Sequence, residues 1–414
     1  MSHTMSQSMN QSMNQPISRP RRGGGVGRIL RLLAPLACLL AAFATGASHP
    51  ATPSGGVLGI DAWAQGDLVD LVTAIDTGAG LELRHARSAD GGRTWGTETV
   101  VPLEGAAMAS PRRGHEPQVA AQGDRVLVSW TGTGTSAFGT GPLHTALSTD
   151  GGASWRPGPN PADDGSTDGH GFHDLAVDAG GQFHAVWLDS RDGGQGLRAA
   201  TSADGSEWSV NATVDPQTCE CCGNRLAVGD DGSVHVLYRD KDPRDMAVAS
   251  RRGDAWHRLG DAGDFDWSLE ACPHTGGGVV QRRGGGAAPR LVTSVWTGDK
   301  DQVGAYIVEL GPQGGADPLP LPDASGKHTD LAILNGKVLV AWEGREGPEH
   351  RVRAAQVAAD GRRFGPVMAL SAAGVSARQP LVVPVAEAFL VLWTEWDESA
   401  STSQWGSRRV AILP

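Results

Sequence analysis

The sequence predicts an all-β fold: a β-propeller of seven four-stranded blades, with six blades as the alternative. Three observations carry that expectation. The first is a repeat: a short apolar strand, a Gly/Asp turn and a strand ending in an aromatic. The corresponding strands are LVTAID (71–76), which lacks the aromatic, VLVSWTG (126–132), FHAVWLDSR (183–191), VHVLYRD (234–240), LVTSVWTGD (291–299), VLVAWEGR (338–345) and FLVLWTEWD (389–397). A recurrence of roughly fifty residues suits one propeller blade per unit. The second is a third strand after most of these, such as LELRHARS (81–88), LHTALS (143–148) and VRAAQVA (352–358), whose alternation and flanking turns indicate antiparallel pairing. The third is composition, with 58 Gly, 25 Pro and 13 Trp and few runs of helix formers. The seventh unit lacks an obvious fourth strand, and residues around Gly56–Trp63 are expected to close the ring by supplying it or pairing with it.

The first residues stand outside this pattern. A polar repetitive stretch leads to Arg19, Arg21, Arg22, Arg28 and Arg31, then to the apolar run LLAPLACLLAAFA at 32–44 and to small residues. Charged region, short apolar region and small-residue exit read as a secretory signal peptide, too short for a comfortable membrane span. Residues 1–47 are therefore expected to be a disordered N-terminus with signal peptide, and 48–414 a single propeller domain. The protein is expected to be exported, periplasmic or secreted, with no membrane span in the mature chain, and monomeric. Its net charge of −11, without a basic stripe, argues against nucleic acid as a partner. A small molecule, a glycan or a metal ion remains.

A second signature follows several third strands. SADGGRTW (88–95) and STDGGASW (148–155) both match S-x-D-x-G-x-x-W, while SADGSEW (202–208) and AADGRRF (358–364) are partial copies. The chemistry is local: Asp accepts backbone N–H groups across a hairpin turn, Gly supplies positive φ, and Trp packs between hairpins. These segments resemble the Asp boxes of bacterial exported sialidase-like (BNR-repeat) propellers, and the resemblance spans nearly the whole mature chain. It implies an exo-acting glycosidase on anionic glycans. The F/Y-R-I-P stretch that supplies one of that family's three carboxylate-gripping arginines is absent, however. Of the two tyrosines, Tyr306 lies mid-strand and Tyr238 stands where other repeats place Trp. As acid or nucleophile, Tyr238, Asp189 and Asp240 are the candidates, none within a matching motif. For an anionic ligand, Arg191, Arg239, Arg345 and Arg378 are the carboxylate grips.

The stretch CECCG remains, with Cys219, Cys221 and Cys222 in a chain of five cysteines. The segment before each innermost strand carries a soft donor in five consecutive blades. These are His115, then His170 and His173, then the three cysteines, then Cys272 and His274, then His328. In a propeller those segments gather at one mouth of the central channel. Thiolates and imidazoles suit Cu(I) or Zn(II) and suit Ca or Mg poorly. All nine residues are therefore candidate metal ligands, with copper or zinc the suspected metal. Disulfides are allowed in an oxidising compartment and stay open, although an adjacent Cys221–Cys222 pair would be strained. Three functions thus remain: a soft-metal or ligand-binding propeller, an exo-acting glycosidase and a disulfide-stapled scaffold.

Overall fold

Each repeat folds back on itself because its turns are short and rich in Gly and Asp, so consecutive strands pair as antiparallel neighbours. A computed structural model describes residues 56–413, apart from 104, 137–138, 270, 284–288, 312–313, 316, 359 and 398–400. Among the described residues there are seven antiparallel sheets and no helix, hence none long and apolar enough to cross a membrane. The expected seven-bladed all-β propeller is what the structure shows. The signal-peptide segment lies outside the described residues.

The innermost strands, one per blade, are Gly56–Gln65, Gln118–Gln122, Gly171–Val177, Arg225–Val228, Gly278–Arg282, Lys327–Leu334 and Ser376–Val385. Each packs against the next, and the last packs against the first, so the ring closes. Three inner-strand aspartates tie neighbours together. Asp61, Asp174 and Asp330 accept the backbone N–H of Val119, Leu226 and Val382 in the following blades. The second strands read as nearly unbroken apolar runs because blades cover both their faces, as Val126–Thr131 shows by being buried throughout.

Ring closure differs in one detail from the expectation. Gly56–Gln65 is the innermost strand of blade one and pairs with Leu68–Asp76, so it is not spare for blade seven. Blade seven has three strands among the described residues, Ser376–Val385, Ala388–Asp397 and Thr402–Ala411. Its edge meets blade one through Ser403 Oγ donating to the Val57 carbonyl at 2.6 Å and through an edge-on Trp95–Trp405 contact at 5.4 Å. Side-chain packing does the work of a shared strand. A lone apolar repeat with turn residues on both sides does not say which blade it joins.

The two full S-x-D-x-G-x-x-W segments form equivalent turns. Gly92 and Gly152 donate their N–H to Ser88 and Ser148 Oγ at 2.9 and 2.8 Å, while Asp90 and Asp150 accept from Thr94 and Ser154 N–H at 2.8 Å. Gly152 sits at φ +87 with the His85 ring 2.2 Å from where a Cβ would stand, so a side chain is excluded twice over. These turns lie at the lower ends of the blades, beside the hairpins joining first to second strands, as Gly91 N–H bonding to the Asp67 carbonyl shows. The inner strands begin on the opposite, upper face.

Candidate metal centre

On the upper face, the segment between the outer strand of blade three, Ala212–Asp215, and the inner strand of blade four carries the CECCG stretch. It is pinned at its start: Thr218 N–H donates to the Gln195 carbonyl and Cys219 N–H to the Arg239 carbonyl. The chain then turns inward, burying Cys219, Cys221 and Cys222. Cys219 Sγ lies 3.3 Å from Cys222 Sγ and 3.9 Å from Cys221 Sγ. Arg244 Nη1 donates to Cys219 Sγ at 3.2 Å and to Glu220 at 3.0 Å, and Lys241 also pairs with Glu220.

One charged sulfur is what this geometry favours. Hydrogen bonds from the Cys221 and Cys222 thiols, with Arg244 alongside, lower Cys219 to about 2 against the opposing effect of burial. Its two neighbours move the other way. The bond to Cys219 pushes Cys221 far above the ordinary thiol range, and burial pushes Cys222 up to about 11. Two thiols sharing their protons with one thiolate form a site primed to exchange those protons for a cation.

A second group overlaps the first. The segment entering blade five brings Cys272 and His274 to Cys221, so that one donor atom from each of the three lies within 4.8 Å of the others. Cys219, Cys221 and Cys222 meet the same criterion. The two segments meet where side chains are missing: a Cβ on Gly276 would lie 3.3 Å from the Gly223 Cα. Beyond the donors, Thr275 is buried and held at Oγ1 by Arg239 Nη2 at 3.0 Å. Cys219, Cys221, Cys222 and Cys272 carry no disulfide bond, and Cys272 is exposed.

The other expected ligands spread around the mouth. His115 contacts Phe172 at 5.3 Å between ring centres, and His274 contacts the same ring at 6.4 Å, which places His115 beside the cluster. Burial pushes His115 down to about 4, with Arg112 and His274 adding to the effect. His170 is held elsewhere, its Nδ1 on the Asp168 carbonyl and its Nε2 on Asp164, and it groups with Asp164 and Asp189. His173 is buried and His328 half-buried along the channel, and loss of hydration pushes them down to about 4 and about 2.

The residues considered for hydrolysis are each engaged by neighbouring side chains. Tyr238 is fully buried and its hydroxyl donates to Asp215 at 2.8 Å. It repeats what Trp187, Trp342 and Trp393 do at the same strand position, each N–H donating to Asp189, Asp323 and Glu395. Asp189 also holds Arg191 and Arg198, and Asp240 holds Arg258. Of the arginines, Arg191 binds Asp189, Asp163 and Asn211, and Arg239 is buried on Thr275, Trp296 and the Arg244 carbonyl. Arg345 and Arg378 are exposed.

Sequence reading passed over the channel itself. Asp61, Gln118, Asp174, Arg225 and Asp330 line a cavity of about 130 Å³. Arg225 reaches Asp174 at 3.5 Å and Asp330 at 3.4 Å. Burial raises Asp61 to about 7 and Asp174 to about 6, each opposed by Arg225. The signal was present: HDLAV (173–177), NRLAV (224–228) and TDLAI (329–333) occupy one register, with Asp, Arg and Asp at the same place. Glu220 and Arg244 had no such pattern to reveal them.

No protein-family model matches the chain, and no curated protein sequence matches it. Among solved structures it is similar in fold to a polysaccharide lyase, Uly1, with a TM-score of 0.52 at 8% identity over 91% of this chain and 94% of that one. A microbial sialidase, Hadza Hz136, gives a TM-score of 0.47 at 16% identity; 70% of this chain is covered, and the chain spans 63% of that sialidase. The intramolecular trans-sialidase from Ruminococcus gnavus gives 0.49 at 11% identity over 78% of this chain and 97% of that one. At these identities the likeness is one of fold.

Proposed function

We propose that this chain is an exported soft-metal-binding propeller that holds Cu(I) in preference to Zn(II), and that it is not a working sialidase. In this reading residues 48–414 act as one monomeric propeller domain. The observation that carries it is a pair of overlapping donor groups from two adjacent blades: Cys219, Cys221 and Cys222, and Cys221, Cys272 and His274, with Cys221 in both. Sulfur-rich donors with a carboxylate already engaged by Lys241 and Arg244 suit Cu(I) best, while a Cys₃His set would also serve Zn(II).

Hydrolysis ranks second, on the raised carboxyl groups of the channel. These groups line one cavity of about 130 Å³ and another of about 630 Å³, and the second falls within the roughly 300–1,000 Å³ of ordinary small-molecule sites. Arg225, the cation that reaches Asp174 and Asp330, is already paired with them.

The deciding experiment is elemental analysis of the purified protein, with thiol counting, before and after gentle reduction and copper loading. Stoichiometric copper, lost when Cys221 and Cys222 become Ser, is the expected result. Thiols that stay oxidised and metal-free through that treatment would make CECCG a structural staple and overturn the reading.

A further inference from the structure

The five donors differ in one respect that a single binding shell would not require. Cys219, Cys221 and Cys222 are buried, at 1%, 4% and 1% exposure, whereas Cys272 and His274 are exposed. Cys221 belongs to both three-donor groups. The exposed pair also sits on a strap fastened at both ends. Before it, the N–H groups of Phe265 and Asp266 are held by Asp245 at 2.9 and 2.8 Å. After it, Thr275 is held by Arg239. His274 takes a left-handed φ of +49, uncommon for a residue with a side chain and a mark of a tightly constrained turn.

We infer that the two groups are successive stations for one soft metal ion: Cys272 and His274 capture it at the surface, and Cys221 passes it to Cys219 and Cys222 inside. This inference rests on the metal-binding reading above. Transfer is ligand exchange, so no electron moves. The ion keeps Cys221 as a common ligand while it sheds Cys272 and His274 and gains Cys219 and Cys222. Protons displaced from the thiols that bind the ion leave to solvent, Cys272 takes one back when the ion leaves it, and the ligands that delivered the ion depart into solvent, so the protein needs no co-reactant. The incoming ion arrives as a Cu(I) complex with soft ligands, since an exposed thiol and imidazole displace such ligands one at a time. The consequence is kinetic: the outer pair sets how fast metal enters, and the buried trio sets how tightly it stays.

Cu(I) bis-bicinchoninate serves as the probe, because its colour reports both the rate of transfer to the reduced full-length protein and the final partition. The double variant Cys272→Ser/His274→Ala alters exposed side chains, and circular dichroism checks its fold. It should take up copper more slowly by roughly tenfold or more while the final partition shifts by less than about threefold. Cys219→Ser should do the reverse, capturing at the wild-type initial rate but holding copper at least roughly tenfold more weakly. Uptake by the double variant at the wild-type rate would overturn the two-station path and leave the metal-binding reading intact. Loss of affinity in the double variant as large as in Cys219→Ser would mean one five-donor shell and also overturn the path. No uptake by the wild type would instead overturn the metal-binding reading itself.

Discussion

At the scale of single residues, the chemistry turns on which group neutralises which. Arg244 is the cation that touches Cys219 Sγ. Replacing it with Met removes that charge, so the most acidic thiol should titrate higher by about one unit or more. Ultraviolet thiolate absorbance followed against pH measures this, and an unchanged curve would show that Arg244 does not hold the thiolate. Tyr238 is the contrasting case. Its hydroxyl satisfies Asp215 within a packed blade, so Tyr238→Phe should cost about 1 kcal/mol in denaturant unfolding. Neither wild type nor variant should turn over a fluorogenic sialoside; activity abolished by this change would restore the glycosidase reading.

At the scale of elements, the blade turns are held by side chains that stand in for missing backbone partners. Ser148 is buried, and its Oγ accepts the Gly152 N–H at 2.8 Å while donating to Asp150. Ser148→Ala leaves that N–H without an acceptor and should destabilise by about 1–2 kcal/mol. Gly152→Val meets both the positive φ and the His85 ring, and should cost more than Ser148→Ala, at least about 2 kcal/mol. Thermal melts of the two variants check the order. These turns were legible in the sequence, because each is made from residues within eight positions of one another and obeys a local rule. The edge of blade seven was not, because its contacts with blade one join residues from the two ends of the described chain.

At the scale of the whole molecule, the channel couples the blades through charge. Asp61 and Asp174 titrate higher in the folded protein than in the unfolded chain, so folding favours their protonated forms. The stability they contribute is present at low pH and is lost as pH rises from about 4 through about 6 to 7. Arg225 opposes that loss by favouring their ionised forms. Arg225→Met should therefore destabilise by about 3–5 kcal/mol near pH 8, where it leaves the channel carboxylates unneutralised, and by less near pH 5. Denaturant unfolding at the two pH values tests this, and an equal loss at both would show that Arg225 is not the neutralising group.

The sequence by itself determined the seven repeats, the antiparallel order of strands within them, the aromatic packing position that Tyr238 shares with the tryptophans, and the face on which Cys and His gather. All of these follow from local periodicity and from register within a repeat. Tertiary structure decided which donors meet. Equivalent positions in different blades share a height along the channel but stand apart around its circumference, so His170 groups with Asp164 and Asp189 although its register matches the cysteines'. Segments of adjacent blades approach where backbones can touch, and Gly223 against Gly276 allows that for blades four and five. The same reason hid the pairing of Arg225 with Asp174 and Asp330. A contact across a blade boundary is set by how two sheets stack, and stacking leaves no period in the sequence.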